Sequence, residues 1–137
     1  MQLQQNRSLM RAQVRHELAT TIVDLLNTSA GNSQLASLLR RAALGEELTD
    51  DERFQFELRS NALLRYWEDV HYQHRRGLYD EIEYSRQKAA WKATFANSVG
   101  FVNYWCQVRT LYSPLFESEI DSLLPPESCK PHTEAAP

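Results

Sequence analysis

DDERFQFELRSNALLRYWEDVHYQHRR occupies residues 50–76, and its apolar spacing is that of one long helix. Phe56, Leu63, Trp67 and Val70 fall at helical intervals and make a ridge, which Phe54, Leu58, Ala62 and Tyr66 widen. Both ends are punctuated. Thr49 with Glu52 spells a capping box, and Asp50 and Asp51 suit the positive N-terminal pole. At the far end Arg75 and Arg76 oppose the last carbonyls before Gly77 terminates the run. A helix with so broad an apolar surface is expected to lie centrally, touched by several others.

The flanking segments are helical too. A first helix is expected from Leu3 to Asn27, with Leu3, Met10, Val14, Leu18, Ile22 and Leu25 on one stripe. The turn Thr28–Asn32 follows, with Gly31 available for a positive φ. A short second helix, Ser33–Leu44, turns Leu35, Leu38, Leu39 and Ala42 inward and closes at Gly45. Beyond Gly77, Asp80 caps a fourth helix that carries Tyr84 or Ile82, Ala89 or Ala90, Trp91 and Phe95. Asn97–Gly100 reads as a break. A fifth helix over Val102–Tyr112 presents Tyr104, Trp105, Val108 and Leu111. Ser113-Pro114 then starts a sixth, short one, with Leu115, Ile120, Leu123 and Leu124 as its apolar contacts. No period-two alternation survives inspection. The fold class is therefore all-α: a single bundle of five or six helices spanning 1–124 around the long third helix. The Pro-rich stretch from Pro125 to Pro137 is expected to be a disordered tail.

A chain of 137 residues with 24% charged and 42% hydrophobic positions suits one domain with one core. A net charge of −3 lacks the basic excess of a dedicated nucleic-acid binder, so no nucleic-acid partner is expected. No run approaches the apolar length of a membrane span. The two cysteines, Cys106 and Cys129, follow no secretory signal and are expected to be reduced thiols. Twelve of the fifteen basic residues are arginines. Arg7, Arg11 and Arg15 recur every four residues, with no acidic residue before Glu17, which makes one cationic stripe on a helix. That stripe is either a solvated face or a membrane-adjacent row that meets anionic headgroups. The acidic counterweight is Glu46, Glu47, Asp50, Asp51, Glu52 and Glu57.

Candidate chemistry is sparse. Glu68 and His71 form a Glu-x-x-His on the third helix, half of the ligand pattern of a carboxylate-bridged dimetal bundle. His16, His74 and His132 lack the matching Glu, so neither a metal site nor a cofactor is expected. Zinc shared by Glu68, His71 and His74 has no further motif behind it. There is no nucleophile elbow, no P-loop and no dinucleotide fingerprint. The aromatic residues are mostly core, but buried Tyr and Trp need polar partners. Arg65, Glu68, Gln73 and Arg109 can supply them, so a polar network between the third and fifth helices is expected.

Several separated segments together resemble a group of small bacterial proteins to which no activity is attached. They are Glu52-Arg53-Phe54, the run from Tyr72 to Glu81 (YQHRRGLYDE), Tyr104-Trp105, Tyr112–Phe116 (YSPLF) and Ile120–Leu124 (IDSLL). The group's pattern is similar to "YYQYRxGLLDEExW … WW … FSPxFxxFVDxLL", and the resemblance covers Leu3 to Leu124. Longer members carry a hydrophobic helix just before a segment like "LxxQIRQNTxAxRA", which Leu3–Ala12 resembles. One alternative is an untethered member; where such a helix precedes the segment, the resemblance implies that Arg7, Arg11 and Arg15 fall in the first turns after the membrane. By the positive-inside rule this puts the domain in the cytoplasm, at the inner face of the membrane or free of it. It brings no functional residues. The leading expectation is a non-enzymatic protein-interaction module that docks or homodimerises through Met10, Val14 and Leu18 of the first helix. The alternative is a small-molecule sensor or metal-assisted enzyme using Glu68, His71 and Tyr72, with Arg109 as a further ligand candidate.

Overall fold

Five of the six helices among the described residues begin where a short polar side chain accepts a hydrogen bond from an otherwise unpartnered amide. In the computed structural model, which describes residues 2–130, α1 spans Gln2–Ala30, α2 Ser33–Ala43, α3 Asp50–Arg75, α4 Glu81–Ala96, α5 Val99–Val108 and α6 Pro114–Asp121. A single 3-10 turn, Arg109–Leu111, joins the last two. Asn32 accepts from Leu35 N, Asp80 from Glu83 N, Ser98 from Phe101 N and Ser113 from Phe116 N. Thr49 and Glu52 complete the reciprocal capping box. Gly45 and Gly77 take positive φ, 76° and 74°, just past α2 and α3. The described residues contain no strand, so the all-α class holds.

α3 lies at the centre and packs against all five other helices. Its Trp67 stacks on Trp91 of α4 at 5.2 Å and meets Phe95 and Phe101 edge-on at 5.7 and 5.4 Å. Phe116 of α6 is fully buried and closes the same cluster, 6.2 Å from Trp91 and 5.8 Å from Trp105. Each such ring removes roughly 150–250 Å² from water, a gross gain of about 4–6 kcal/mol before entropy is subtracted. Leu64, Val70 and Ser60 fill the rest of the α3 face. Phe54 and Leu58 do not widen the ridge. They stand 61% and 55% exposed, on the side of α3 that carries the exposed Asn61 and Arg65. On α4, Tyr84 is the inward residue and Ile82 the outward one, while Ala89 and Ala90 both face solvent.

α1 runs antiparallel to α3. Arg59 Nε donates to Ser29 Oγ at 2.9 Å near one end, and Arg7 Nη2 reaches Gly77 O at 3.4 Å near the other. Leu18 is buried, and Val14 and Ile22 pack against the core. Every residue from 2 to 13 is exposed. The helix continues to Ala30, past the expected stop, and Gly31 needs no positive φ because its amide simply bonds Asn27 O.

The chain end departs from expectation in two ways. Pro125–Lys130 is not loose: it forms turns, with Ser128 N bonded to Pro125 O at 3.0 Å. Cys129 is disulfide-bonded to Cys106 of α5 and packs on the core. The reduced-thiol expectation is therefore corrected. α6 reverses the chain and returns residue 129 to within 5.1 Å, Cα to Cα, of residue 106. The rest of the expected tail, 131–137, lies outside the described residues. No helix among the described residues is long and apolar enough to cross a membrane.

Candidate functional site

Glu68, His71 and Tyr72 sit on consecutive turns of α3, and the fold sends them to three different surroundings. Glu68, half-buried, accepts from Ser113 N at 2.9 Å through one oxygen and from Arg65 Nη1 at 3.0 Å through the other. It thereby ties α3 to the residue that caps α6. His71 turns inward. It is 5% exposed, lies 5.6 Å from the Phe116 ring, and its Nδ1 has no hydrogen-bond partner among the described residues. Burial holds its pKa below the ordinary imidazole value, and the Arg75 charge adds to the effect. Tyr72 turns outward, with the Arg75 and Arg76 guanidinium carbons 5.4 and 5.5 Å from its ring centre. A shallow groove lined by Arg65, Glu68, Asp69, Tyr72, Arg75 and Ser113 includes Glu68 and Tyr72 but not His71. The trio does not share a pocket. Among the described residues no three His, Cys, Asp or Glu side chains converge as metal ligands.

The network expected between the third and fifth helices is not formed: polar side chains pair in separate pieces, and among the described residues no hydrogen bond joins α3 to α5 itself, only to Tyr112 and Ser113 beyond it. Around Glu68, Arg65 stacks 4.1 Å over the Tyr112 ring, and the Tyr112 hydroxyl donates to Asn61 Oδ1 at 2.9 Å. Burial pushes that hydroxyl up to about 12. Arg109 belongs to a different piece. It pairs with Asp121 at 3.1 Å, whose other oxygen accepts from Trp105 Nε1 at 2.9 Å. A third piece joins α4 to α6: the Tyr84 hydroxyl donates to Glu119 at 3.2 Å, and Lys88 pairs with the same carboxylate at 3.0 Å. His74 stacks on the Tyr84 ring at 3.8 Å with its Nε2 2.6 Å from Glu81. In a fourth, Gln87 donates to both the Tyr66 and Tyr79 hydroxyls, at 3.2 Å each. Glu119, Asp121 and Gln87 escaped the sequence reading, because nothing in spacing marks a carboxylate or amide that meets its tyrosine across helices.

The arginine stripe of α1 faces the α3–α4 connection. Arg15 Nε bonds Glu83 at 2.7 Å, and Arg7 reaches Gly77 O. Arg11 lies between them, in a cleft lined by Ser8, Leu78, Tyr79 and Asp80. The proposed docking stripe is largely consumed within the molecule. Leu18 is 4% exposed and Val14 packs on the core, and only Met10 stands open, at 46%. The geometric reason is that Val14 and Leu18 lie on the face of α1 laid on α3, while Arg7 and Arg11, in line with them, reach the connection beyond α3 and stay exposed. The arginine pair at 75 and 76 was read only as a complement to the α3 dipole. The Arg7–Gly77 contact shows what spacing could not: Arg75 and Arg76 end beside the start of α1.

No protein-family model, curated protein or solved structure matches this chain.

Proposed function

We propose that the protein is a non-enzymatic interaction module that presents the first three turns of α1 to a partner. One observation carries this reading. Residues 2–13 are helical, yet all are exposed, with Leu3 at 85%, Leu9 at 69% and Met10 at 46%. Isolated helical turns are marginal in water, and apolar side chains gain nothing by standing bare. This length of helix is surplus to the fold's own core. A structural role for Glu68 and His71 supports the same reading, since one holds the α6 cap and the other fills an aromatic core. The Cys106–Cys129 bridge supports an oxidising compartment in place of the cytoplasm.

The test uses the full chain with Leu3→Glu and Met10→Glu together. Both side chains are exposed, so the unfolding free energy is expected to stay within the small range of surface substitutions, about ±0.5 kcal/mol. Sedimentation equilibrium and vesicle flotation are expected to detect association by the wild type that the variant loses. A wild type that neither self-associates nor floats, or a variant that associates equally well, overturns the reading.

A further inference from the structure

We infer that the end of the molecule where α1 begins and α3 stops is a docking face for an anionic membrane surface; the inference rests on α1 being a presented element. The Arg7–Gly77 contact joins two basic clusters that lie 70 residues apart in sequence. Arg7 and Arg11 come from α1, and Arg75 and Arg76 from the last turn and cap of α3. All four are exposed, and none takes part in an ion pair among the described residues. Of the carboxylates nearby, Glu83 holds Arg15 and Glu81 meets His74, while Asp80, in the Arg11 cleft, accepts from Glu83 N, and Asp69, in the groove with Arg75, accepts from Gln73 Nε2, neither in an ion pair among the described residues. Four guanidinium groups without a direct ion pair, against two such carboxylates, therefore gather at one end of a chain whose net charge is −3.

The opposite charge lies at the opposite pole. Glu46, Glu47, Asp50 and Asp51 surround the start of α3, and 26 residues of helix at 1.5 Å each separate them from Arg75 by about 39 Å. Such a charge distribution orients the whole molecule in the field of an anionic surface, basic end first. Apolar side chains accompany the charges. Leu3 and Met10, seven residues apart, stand on one side of α1, and the half-open Tyr72 ring sits under Arg75 and Arg76. Arginine beside bare aliphatic and tyrosyl groups matches a lipid interface, where the charges meet headgroups and the apolar groups reach the acyl boundary. Nucleic acid would use the charges but leave Leu3 and Met10 without a partner, and the Tyr72 face is already occupied by the protein's own arginines.

Flotation of the full chain with neutral phosphatidylcholine vesicles and with vesicles containing phosphatidylglycerol tests this. The wild type is expected to float with the anionic vesicles only, and less as salt is raised. Arg75→Gln with Arg76→Gln is expected to weaken partition on the order of thirtyfold, the effect of two arginines at a charged surface. Arg7→Gln with Arg11→Gln is expected to do the same, while Arg40→Gln, on α2, changes nothing. Circular dichroism checks that each variant is folded, and the two independent pairs cover the failure of either. Equal binding to neutral vesicles, unchanged binding by both pairs, or tighter binding to single-stranded DNA than to anionic vesicles overturns the inference. Self-association through Leu3 and Met10 without flotation overturns it too, yet leaves the role of α1 standing.

Discussion

Reducing the Cys106–Cys129 bridge is expected to lower stability by about 3 kcal/mol. The bridge spans 23 residues of sequence, enclosing the 3-10 turn and all of α6. A cross-link across a loop of that length removes roughly 11 cal/mol/K from the unfolded chain, or about 3.4 kcal/mol at 25 °C in the chain-entropy model. For a domain of this size that corresponds to a fall of about 10 °C in melting temperature. The measurement is thermal unfolding of the purified protein with and without a dithiol, alongside Cys106→Ala with Cys129→Ala. Tryptic mapping without reductant should release Ala93–Arg109 joined to Thr110–Pro137 as one mass that separates on reduction. The double variant should melt where the reduced wild type does and be indifferent to the dithiol. A wild type whose peptides separate without reductant, or whose melting temperature ignores it, would refute both the pairing and the compartment drawn from it.

Four further outcomes follow from the packing and the charges. Phe116→Ala removes a fully buried ring from the Trp91–Trp105 contact and should cost about 3–5 kcal/mol by chemical denaturation. Glu68→Ala strands the part-buried Ser113 amide and should cost about 1–3 kcal/mol, with exchange protection lost first at the start of α6. Lowering the pH from 7 to 5 should destabilise the fold through His71. Its folded pKa lies below its unfolded value of 6.5, so the unfolded chain takes up the proton first and stability falls as pH drops through that value, by no more than about 1.4 kcal/mol per pH unit. His71→Leu should flatten that part of the stability profile. Glu52, held at about 2 by Arg41 and the Thr49 amide, acts at lower pH: its contribution is complete above 4.5 and disappears as pH falls toward 2, a loss that Glu52→Gln should abolish.

Residues that act within their own helix could be read from the chain, and residues that act between helices could not. Thr49, Asp80 and Ser113 announce their caps because the amide they serve lies three residues on. Gly45 and Gly77 announce α2 and α3 ends for a similarly local reason. Gly100 misled: it lies inside α5, and a Cβ there would come within 2.7 Å of Ala42 O, so it serves the close approach of α2 rather than a break. Leu63 and Leu64 are neighbours in one apolar run, and only the packing shows that the second is the fully buried one. The candidate site was legible as a list of polar residues on α3. Its dispersal was not, because Glu68 and Ser113, or Arg7 and Gly77, meet only once distant segments have docked. The disulfide belongs to the same kind of information.

The arrangement of the core around α3 also constrains how the chain is made. Trp67 lies in the middle of the sequence, but the rings that enclose it, Trp91, Phe95 and Phe101, come later, and Phe116 closes the cluster later still. During synthesis Trp67 emerges before any of its ring partners; the contacts with Trp91, Phe95 and Phe101 become possible with α4 and α5, and those of Phe116 only when α6 has left the ribosome. Folding is therefore expected to wait for release of nearly the whole chain rather than to proceed helix by helix from the N-terminus. A product that stops before Phe116 lacks the ring that completes the core, which makes such fragments natural substrates for chaperones and proteases.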